Sequence, residues 1–187
     1  MEKLKYKISS RATILLGRES VSKVESAIIE LIKNSYDADA DICFVYFDTK
    51  DNCLYLIDNG IGMTKKVIED YWMTIGTDNK KKEYVSPRGR IKSGEKGIGR
   101  FALDRLGSIC ELYSKNNEED LIRWKTNWNK FEESGKMLDD IDAEFEFLPS
   151  KLISFLPRKV KESIDKLGIN KNIKLNFEKG TIIKFLI

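Results

Sequence analysis

The sequence of 187 residues has no histidine, and it has only three cysteines and three prolines. Without histidine, the chain offers no imidazole as a general acid or base, as a metal ligand or as a phosphoacceptor. Cys43, Cys53 and Cys110 lie far apart and form no Cys-x-x-Cys pair, so neither a zinc site nor a disulfide framework is indicated. We expect these thiols to be buried as small apolar side chains.

The sequence also lacks any apolar run that approaches the roughly 20 residues needed to span a bilayer. Its charged start, MEKLKYKISSR, has no apolar stretch of the kind found in signal peptides. We therefore predict a cytoplasmic protein without a membrane partner. The hydrophobic fraction of 41% and charged fraction of 34% are typical of a soluble globular chain, and the length suits one domain. The net charge of +3 is too small to argue for nucleic-acid binding.

Helix and strand patterns are intermixed along the chain. Helical spacing predicts helices over residues 20–36, with Ser20 or Ser22 as the cap, after Thr64, and over 98–106. Strand patterns cover residues 42–47, 54–57, 109–113, 121–128, 173–177 and 181–187, with an edge strand over 3–8. This order favours an α+β two-layer sandwich, with helices on one face of a mixed, largely antiparallel sheet. A doubly wound fold would need regular strand–helix alternation.

Glu30 and Asn34 are one helical turn apart and share a face of the first predicted helix. An amide oxygen suits Mg²⁺, which prefers oxygen ligands and keeps several waters. A carboxylate one turn away can orient or deprotonate a water beside a γ-phosphate. The same spacing occurs on ordinary solvated helix faces, so the pair alone decides nothing.

The run from Asp58 to Met63, Asp-Asn-Gly-Ile-Gly-Met, follows a short apolar strand. A carboxylate followed by two glycines suits an aspartate that accepts a hydrogen bond from a ligand while the backbone passes close by. The amino group of adenine is such a donor, whereas guanine has a carbonyl at the corresponding position. The alternative is an ordinary turn that joins two elements.

A glycine-rich loop, Gly-Glu-Lys-Gly-Ile-Gly-Arg at residues 94–100, precedes a predicted helix. Glycines let backbone N–H groups approach phosphate oxygens, and a helix N-terminus adds partial positive charge. The loop is neither a dinucleotide fingerprint nor a Walker loop, because no strand precedes it and no Gly-Lys-Ser/Thr follows. The segment before it is basic, which favours either attraction of a triphosphate or a solvated surface. A nucleic-acid patch is a third reading, although only Tyr84 is available for base stacking.

Together these motifs resemble the GHKL superfamily, the Bergerat-type nucleotide-binding fold of gyrase, the heat-shock chaperone, histidine kinases and MutL. ELIKNSYDADA at residues 30–40 resembles the first sequence box of that family, and DNGIGM at 58–63 resembles the second. GEKGIGRFA at 94–102 resembles the third, and KGTIIKF at 179–185 the last. The boxes occur in family order along nearly the whole chain, which is a stronger signal than any one of them.

The resemblance implies a role for each matching residue. Glu30 would be the general base, and Asn34 would coordinate Mg²⁺. Asp58 would bind the adenine amino group, and Thr181 would support Asp58 through its hydroxyl or a shared water. The remaining nucleotide-binding residues implied in this way are Asp37, Ala38, Gly60, Gly62, Met63, Gly94, Lys96, Gly97, Ile98, Gly99 and Arg100, with Thr77 and Lys80 in second rank.

The resemblance also implies an organisation and an activity. Residues 71–97 would form an ATP lid, within a single ATP-binding domain over 1–187 that is the N-terminal part of a larger protein. Residues 131–172 match no part of the family pattern and are interpreted as an insertion, with partial helical spacing over 151–167. Because Glu30 is present and histidine is absent, the chain resembles the hydrolysing branch rather than the histidine kinases. We expect it to bind ATP, ADP and Mg²⁺ and to hydrolyse ATP slowly. Lid closure would drive homodimerisation or engagement of a partner domain, and the alternative is a non-hydrolysing ATP-gated module.

Overall fold

A computed structural model describes residues 3–21, 23–74, 84–93, 99–168 and 177–187. In these ranges the α-helices are α1 (Ser10–Ser20), α2 (Val24–Asp37), α3 (Lys65–Val67) and α4 (Arg158–Gly168). The short helix α3 continues into a π-helical turn at Ile68–Trp72. The 3-10 helices lie at Gly99–Leu106, Trp128–Glu132, Leu138–Asp140 and Leu152–Phe155. No helix of the described ranges is long and apolar enough to cross a membrane.

Within the described part of the chain, six strands form one open sheet. They are β1 (Cys43–Asp48), β2 (Cys53–Asp58), β3 (Ile109–Lys115), β4 (Leu121–Asn127), β5 (Glu144–Leu148) and β6 (Gly180–Leu186). Their order is β1-β2-β6-β3-β4-β5, and each of these pairings is antiparallel. The last strand of the chain therefore lies in the middle of the sheet, between β2 and β3. The predicted α+β sandwich is confirmed.

The main hydrophobic core lies between the sheet and the helices α1 and α2. Ala27 and Leu31 are one turn apart on α2 and are both buried, and Ile14 is buried on α1. Alternation along β3 directs Cys110 and Leu112 to the same core. Cys53 and Cys110 are buried free thiols, as expected, whereas Cys43 is only half-buried.

The opposite face of the sheet is partly covered as well. The covering residues are spaced by four, and they are Leu152, Leu156, Val160 and Ile164 from the last 3-10 helix and α4. They pack with Ile57, Leu121 and Ile182 from three strands. Tyr113 on β3 also stacks on Phe155, with ring centroids 4.3 Å apart. The region that matches no family motif thus supplies a second, smaller core.

Two local predictions are wrong, and a third is confirmed with the helix type now defined. Residues 3–8 form no strand, and beyond them Ser9 makes an isolated bridge with Met137. Ser20 does not cap α2, because it is the last residue of α1, and α2 begins after Lys23 without a side-chain cap. The helix predicted over 98–106 is a 3-10 helix over its described part. Residue 22 and most of the strand predicted over 173–177 lie outside the described residues.

Two elements were not predicted, α1 and β5. The buried face of α1 is partly polar, so helical hydrophobic spacing does not reveal it. Ser10 Oγ donates to the carbonyl of Phe131 at 2.9 Å, and Thr13 Oγ1 donates to the carbonyl of Ser10 at 2.6 Å. β5 alternates two glutamates with two phenylalanines, but it lies in a region without a recognisable pattern.

Replacing Leu152 with alanine tests whether this second core stabilises the domain. Leu152 is 0% exposed, and its neighbour Ile153 is 45% exposed. Leu152→Ala is expected to lower the free energy of unfolding by about 2–5 kcal/mol, because it leaves a cavity. Ile153→Ala, the matched control, should change it by no more than about 0.5 kcal/mol. Chemical denaturation measures both, and equal small effects would contradict packing of this segment on the sheet.

Candidate functional site

Asp58, the last residue of β2, is a buried carboxylate beneath α2. It is 7% exposed. Its Oδ2 accepts from Ser35 Oγ of α2 at 3.0 Å, and its Oδ1 accepts from the backbone N–H of Gly60 at 2.9 Å. Burial raises the pKa of Asp58 to about 6, although these donors and the backbone N–H of Thr181 act in the opposite direction. Asp58 is therefore mostly ionised at neutral pH, although burial makes the ionised form unfavourable in free energy.

The turn after Asp58 passes too close to other backbone for side chains. A Cβ on Gly60 would lie 2.6 Å from the carbonyl oxygen of Ala38, and Ile61 donates its N–H to that oxygen at 2.8 Å. Gly62 has a φ of 72°, and a Cβ there would overlap the carbonyl oxygen of Lys115. Both glycines are thus required sterically, and the turn is fixed between the end of α2 and the end of β3.

The backbone N–H and carbonyl of Met63 are both hydrogen-bonded to polar side chains at the end of β3 and just after it. Its N–H donates to Ser114 Oγ at 2.8 Å, and its carbonyl accepts from Asn116 Nδ2 at 2.8 Å. The hydroxyl of Thr181 lies 3.1 Å from Ser114 Oγ. Thr181 therefore supports Asp58 through its backbone N–H, and its hydroxyl contacts Ser114 instead.

Glu30, Asn34 and Asp37 lie along one side of α2, as their spacing predicts. Glu30 forms an ion pair with Lys33, with Oε1 and Nζ 2.8 Å apart. Asn34 is half-buried. Asp37 is buried, and its Oδ1 accepts from the backbone N–H of Ser93 at 2.8 Å. The structure thus places the proposed base in contact with a cation on its own helix.

Residues 84–93, here called the clamp segment, are bound to the turn that ends α2. They form a tight hairpin with a bridge between Val85 and Ile91. The anchor is Asp39, which is 2% exposed and has a left-handed φ of 59°. Its Oδ1 accepts from Ser86 Oγ at 2.5 Å, and its Oδ2 accepts from the backbone N–H of Arg88 at 3.1 Å.

The two arginines of the clamp segment contact the same turn. Arg88 forms an ion pair with Asp41, with its Nη1 2.7 Å from Oδ1 of Asp41. Arg90 donates to the carbonyl of Ala40 at 2.7 Å, and its guanidinium lies 5.0 Å from the ring centroid of Tyr36. Arg88 and Arg90 belong to the basic segment that was considered for attraction of a triphosphate. In this structure both contact α2 and its C-terminal turn instead.

Several predicted site residues cannot be placed. Thr77, Lys80, Gly94, Lys96, Gly97 and Ile98 lie outside the described residues. Gly99 opens the 3-10 helix Gly99–Leu106, and Arg100 follows it in that helix. Within the described ranges, no group of three or more cysteine, aspartate or glutamate side chains could hold a metal ion. A single amide such as Asn34 fits Mg²⁺ that takes its other ligands from phosphates and water.

Sequence reasoning missed five residues that organise this site, namely Ser35, Asp39, Ser86, Ser114 and Asn116. Two of them lie within or beside motifs that were recognised, since Ser35 and Asp39 belong to the first box. The others act across the sheet or across a loop, and no local spacing indicates such contacts.

Comparison with known proteins adds to this geometry. Residues 21–154 match the model of the family described as histidine kinase-, DNA gyrase B-, and HSP90-like ATPases. This chain belongs to that family. Its membership supports nucleotide binding in general, and it agrees with the glycine-lined turn beside Asp58.

A relative of this ATPase-family chain is HgiDII of Herpetosiphon aurantiacus, which is named as a candidate type II restriction enzyme. The two are 31% identical over 86 residues, which cover 46% of this chain and 14% of the relative. The matched part is thus a small share of a much longer protein.

Asp39→Asn tests the anchor of the clamp segment. Burial by itself would raise the pKa of Asp39, but the hydrogen bonds from Ser86 and Arg88 and the charges of Arg90 and Arg88 lower it below its ordinary value of 3.8. A lowered folded-state pKa stabilises the protein above the unfolded value, and that stability is lost as the pH falls through the folded value. Asparagine tolerates a left-handed φ, so the substitution keeps the backbone conformation and removes the charge together with one of the two acceptor oxygens.

We expect Asp39→Asn to lower the free energy of unfolding at pH 7 by about 1–3 kcal/mol. The difference from the wild type should shrink below about pH 4, where the carboxyl of the wild type becomes protonated. Asp41→Asn, at an exposed partner of Arg88, is the control and should change stability by about 1 kcal/mol or less. A difference that stays constant between pH 3 and pH 7 would exclude a role for the Asp39 charge.

Proposed function

We propose that this domain binds ATP with Mg²⁺, hydrolyses it slowly, and uses closure of the lid at residues 71–97 as a conformational switch. The observation that carries the proposal is the buried carboxylate of Asp58 among Ser35, Gly60 and Thr181. An ionised group in this position destabilises the free protein, which is expected of a residue kept for a ligand.

Adenine is the base that suits this carboxylate. Its exocyclic amino group donates a hydrogen bond, whereas guanine has a carbonyl at the equivalent position. A carbonyl facing Asp58 would place two acceptors together in a buried site, which is strongly unfavourable. Gly60 and Gly62 let the backbone of the turn pass beside the carboxylate, where a Cβ would overlap neighbouring backbone. The other described residues proposed to contact the nucleotide are Asp37, Ala38, Gly60, Gly62, Met63, Gly99, Arg100 and Thr181.

Asn34 is proposed as the protein ligand of Mg²⁺, which would neutralise phosphate charge. Glu30 is proposed to orient or deprotonate the attacking water. Its ion pair with Lys33 at 2.8 Å opposes this role, because the carboxylate contacts a cation of its own helix instead of a water. Turnover by the isolated domain is therefore expected to be slow until nucleotide or another domain separates the pair.

The clamp segment is the part of the proposed lid that is bound to α2 and its C-terminal turn. Its contacts with Asp37 and Asp39 hold residues 84–93 against α2, which also carries Asn34 and Glu30. We propose that lid closure over the phosphates creates a surface for homodimerisation or for a partner domain.

Two alternatives have support of their own. The Glu30–Lys33 ion pair favours a module that binds ATP and recruits a partner without hydrolysis. The restriction-enzyme name of HgiDII favours an ATP-gated part of a larger protein that acts on nucleic acid. In both cases this domain would be the N-terminal part of a longer chain, with residues 131–172 as its own insertion.

Nucleotide-dependent thermal stabilisation tests the adenine assignment. At ATP about 100-fold above its dissociation constant, binding should stabilise the fold by about 2.7 kcal/mol. ATP and ADP should raise the melting temperature, and GTP should not. Asp58→Asn should abolish the shift in melting temperature. The amide has a single acceptor oxygen for Ser35, Gly60 and the adenine amino group, whereas the carboxylate has two. Asp120→Asn, at an exposed position, is the control, and equal shifts in both variants would overturn the assignment.

Single-turnover hydrolysis tests the role of Glu30. Glu30→Gln should bind ATP like the wild type and lower the hydrolysis rate by about 10²-fold or more. Glu25→Gln, on the first turn of the same helix, should leave binding and rate unchanged. If Glu30→Gln hydrolyses ATP at the wild-type rate, Glu30 is not the base. If the wild type itself shows no Mg²⁺-dependent hydrolysis, the non-hydrolysing alternative stands.

A further inference from the structure

A cavity of about 240 Å³ opens on the helical face of the sheet, away from Asp58. Four aromatic side chains line it, those of Trp72, Trp124, Trp128 and Phe131. Two exposed carboxylates, Asp139 and Asp142, lie at the same cavity. No residue proposed to contact the nucleotide lines it, although Trp72 and Met73 lie at the start of the proposed lid. An engineered cavity of about 150 Å³ is large enough to bind benzene, so this one has room for a small organic molecule.

The aromatic walls are rigidly held. Trp72, at the end of the π-helical turn, packs edge-on against Trp124 of β4, with ring centroids 5.8 Å apart. Trp128 and Phe131 come from one 3-10 helix, and their centroids are 5.2 Å apart. Trp124, Trp128 and Phe131 are all buried. The cavity is therefore a preformed feature of the fold rather than a gap between loose side chains.

We propose that this cavity binds a small alkylated ammonium ion, with its methyl groups against the tryptophans and its charge facing Asp139 and Asp142. Aromatic faces attract cations through the ring quadrupole, and tryptophan does so best. The carboxylates add charge of the complementary sign. Lys136 lies near Asp142, but its ammonium is paired with Glu133 at 2.8 Å, and it does not line the cavity.

Other classes of ligand fit less well. An anion would be repelled by Asp139 and Asp142. A neutral apolar molecule would gain from the walls but nothing from the carboxylates. A primary ammonium would pair its N–H donors with Asp139 and Asp142, but it would bring no methyl groups against the tryptophans. A quaternary ammonium has no N–H group to satisfy.

The chain's own fluorescence reports on this site, because its three tryptophans are the three that line the cavity. We would titrate the whole chain, without nucleotide, with choline at constant ionic strength. The matched ligand is 3,3-dimethylbutan-1-ol, which has the same shape without the charge. Choline is expected to change the tryptophan emission saturably and to bind at least about fivefold more tightly than the neutral alcohol.

Two sets of variants test where choline binds. Asp139→Asn with Asp142→Asn should weaken choline by at least about fivefold and leave the neutral alcohol unaffected. Asp51→Asn with Asp120→Asn removes the same charge from exposed positions that do not line the cavity, and it should change neither affinity. Ala143→Leu enlarges a side chain of the cavity lining and should abolish binding while the protein stays folded by circular dichroism.

The proposal is overturned if choline leaves the fluorescence unchanged up to tens of millimolar. It is also overturned if the neutral alcohol binds as tightly as choline, or if the Asp139 and Asp142 variant binds choline normally. Because no nucleotide is present, these outcomes are independent of whether the domain binds ATP.

Discussion

One ionised carboxylate in the interior shapes the architecture around the candidate site. Asp58 needs donors that water no longer supplies, and three different parts of the chain provide them. Ser35 comes from α2, Gly60 from the turn after β2, and the backbone of Thr181 from β6. Because the pKa of Asp58 is still raised to about 6, these donors only partly offset burial. The buried charge of Asp58 therefore lowers the stability of the free protein. A hydrogen-bond donor from a ligand would offset part of this desolvation cost.

The strand β6 brings one of these donors to Asp58 from the middle of the sheet. β6 pairs with β2 on one side and β3 on the other, and Thr181 faces both Asp58 and Ser114 in those registers. Ser114 in turn accepts from the N–H of Met63. The carboxylate, the glycine turn and the end of β3 are therefore joined through a residue near the end of the chain. Correct geometry at Asp58 depends on insertion of β6.

The turn that ends α2 is the second point on which the site depends. Three successive residues of this turn accept hydrogen bonds from different parts of the chain. Asp37 accepts from Ser93, and the carbonyl of Ala38 accepts from Ile61. Asp39 accepts from Ser86 and Arg88. One short stretch thus links the helix to both the glycine turn and the clamp segment. A left-handed φ at Asp39 reverses the chain there, which lets neighbouring acidic residues serve different partners.

The sequence was sufficient for the parts of the site that are local. Glu30 and Asn34 share a helix side, and Asp58 precedes two glycines, because helix periodicity and strand ends are encoded in adjacent residues. It was not sufficient for Ser114, Asn116 or Ser86, because their partners are distant in the chain and hydroxyl or amide contacts have no periodicity. The helix α1 was not predicted for the same reason, because its buried face carries the polar residues Ser10 and Thr13. The attraction of Arg88 and Arg90 to Asp39 and Asp41 was equally invisible, since charge counts do not reveal which charges pair.

The region without a family motif has two parts that lie on opposite faces of the sheet. The residues before β5 that line the cavity on the helical face are Phe131, Leu138, Asp139, Ile141, Asp142 and Ala143. After β5, Leu152 and Ile164 belong to the core on the other face. The chain therefore crosses from one face to the other by way of β5, an edge strand that pairs only with β4 among the described strands. Glu144 and Glu146 on that strand lie within 4 Å of Arg123, and such charges at an edge disfavour pairing with another sheet. The same stretch of chain thus closes this edge of the fold and builds a pocket that is separate from the candidate nucleotide site.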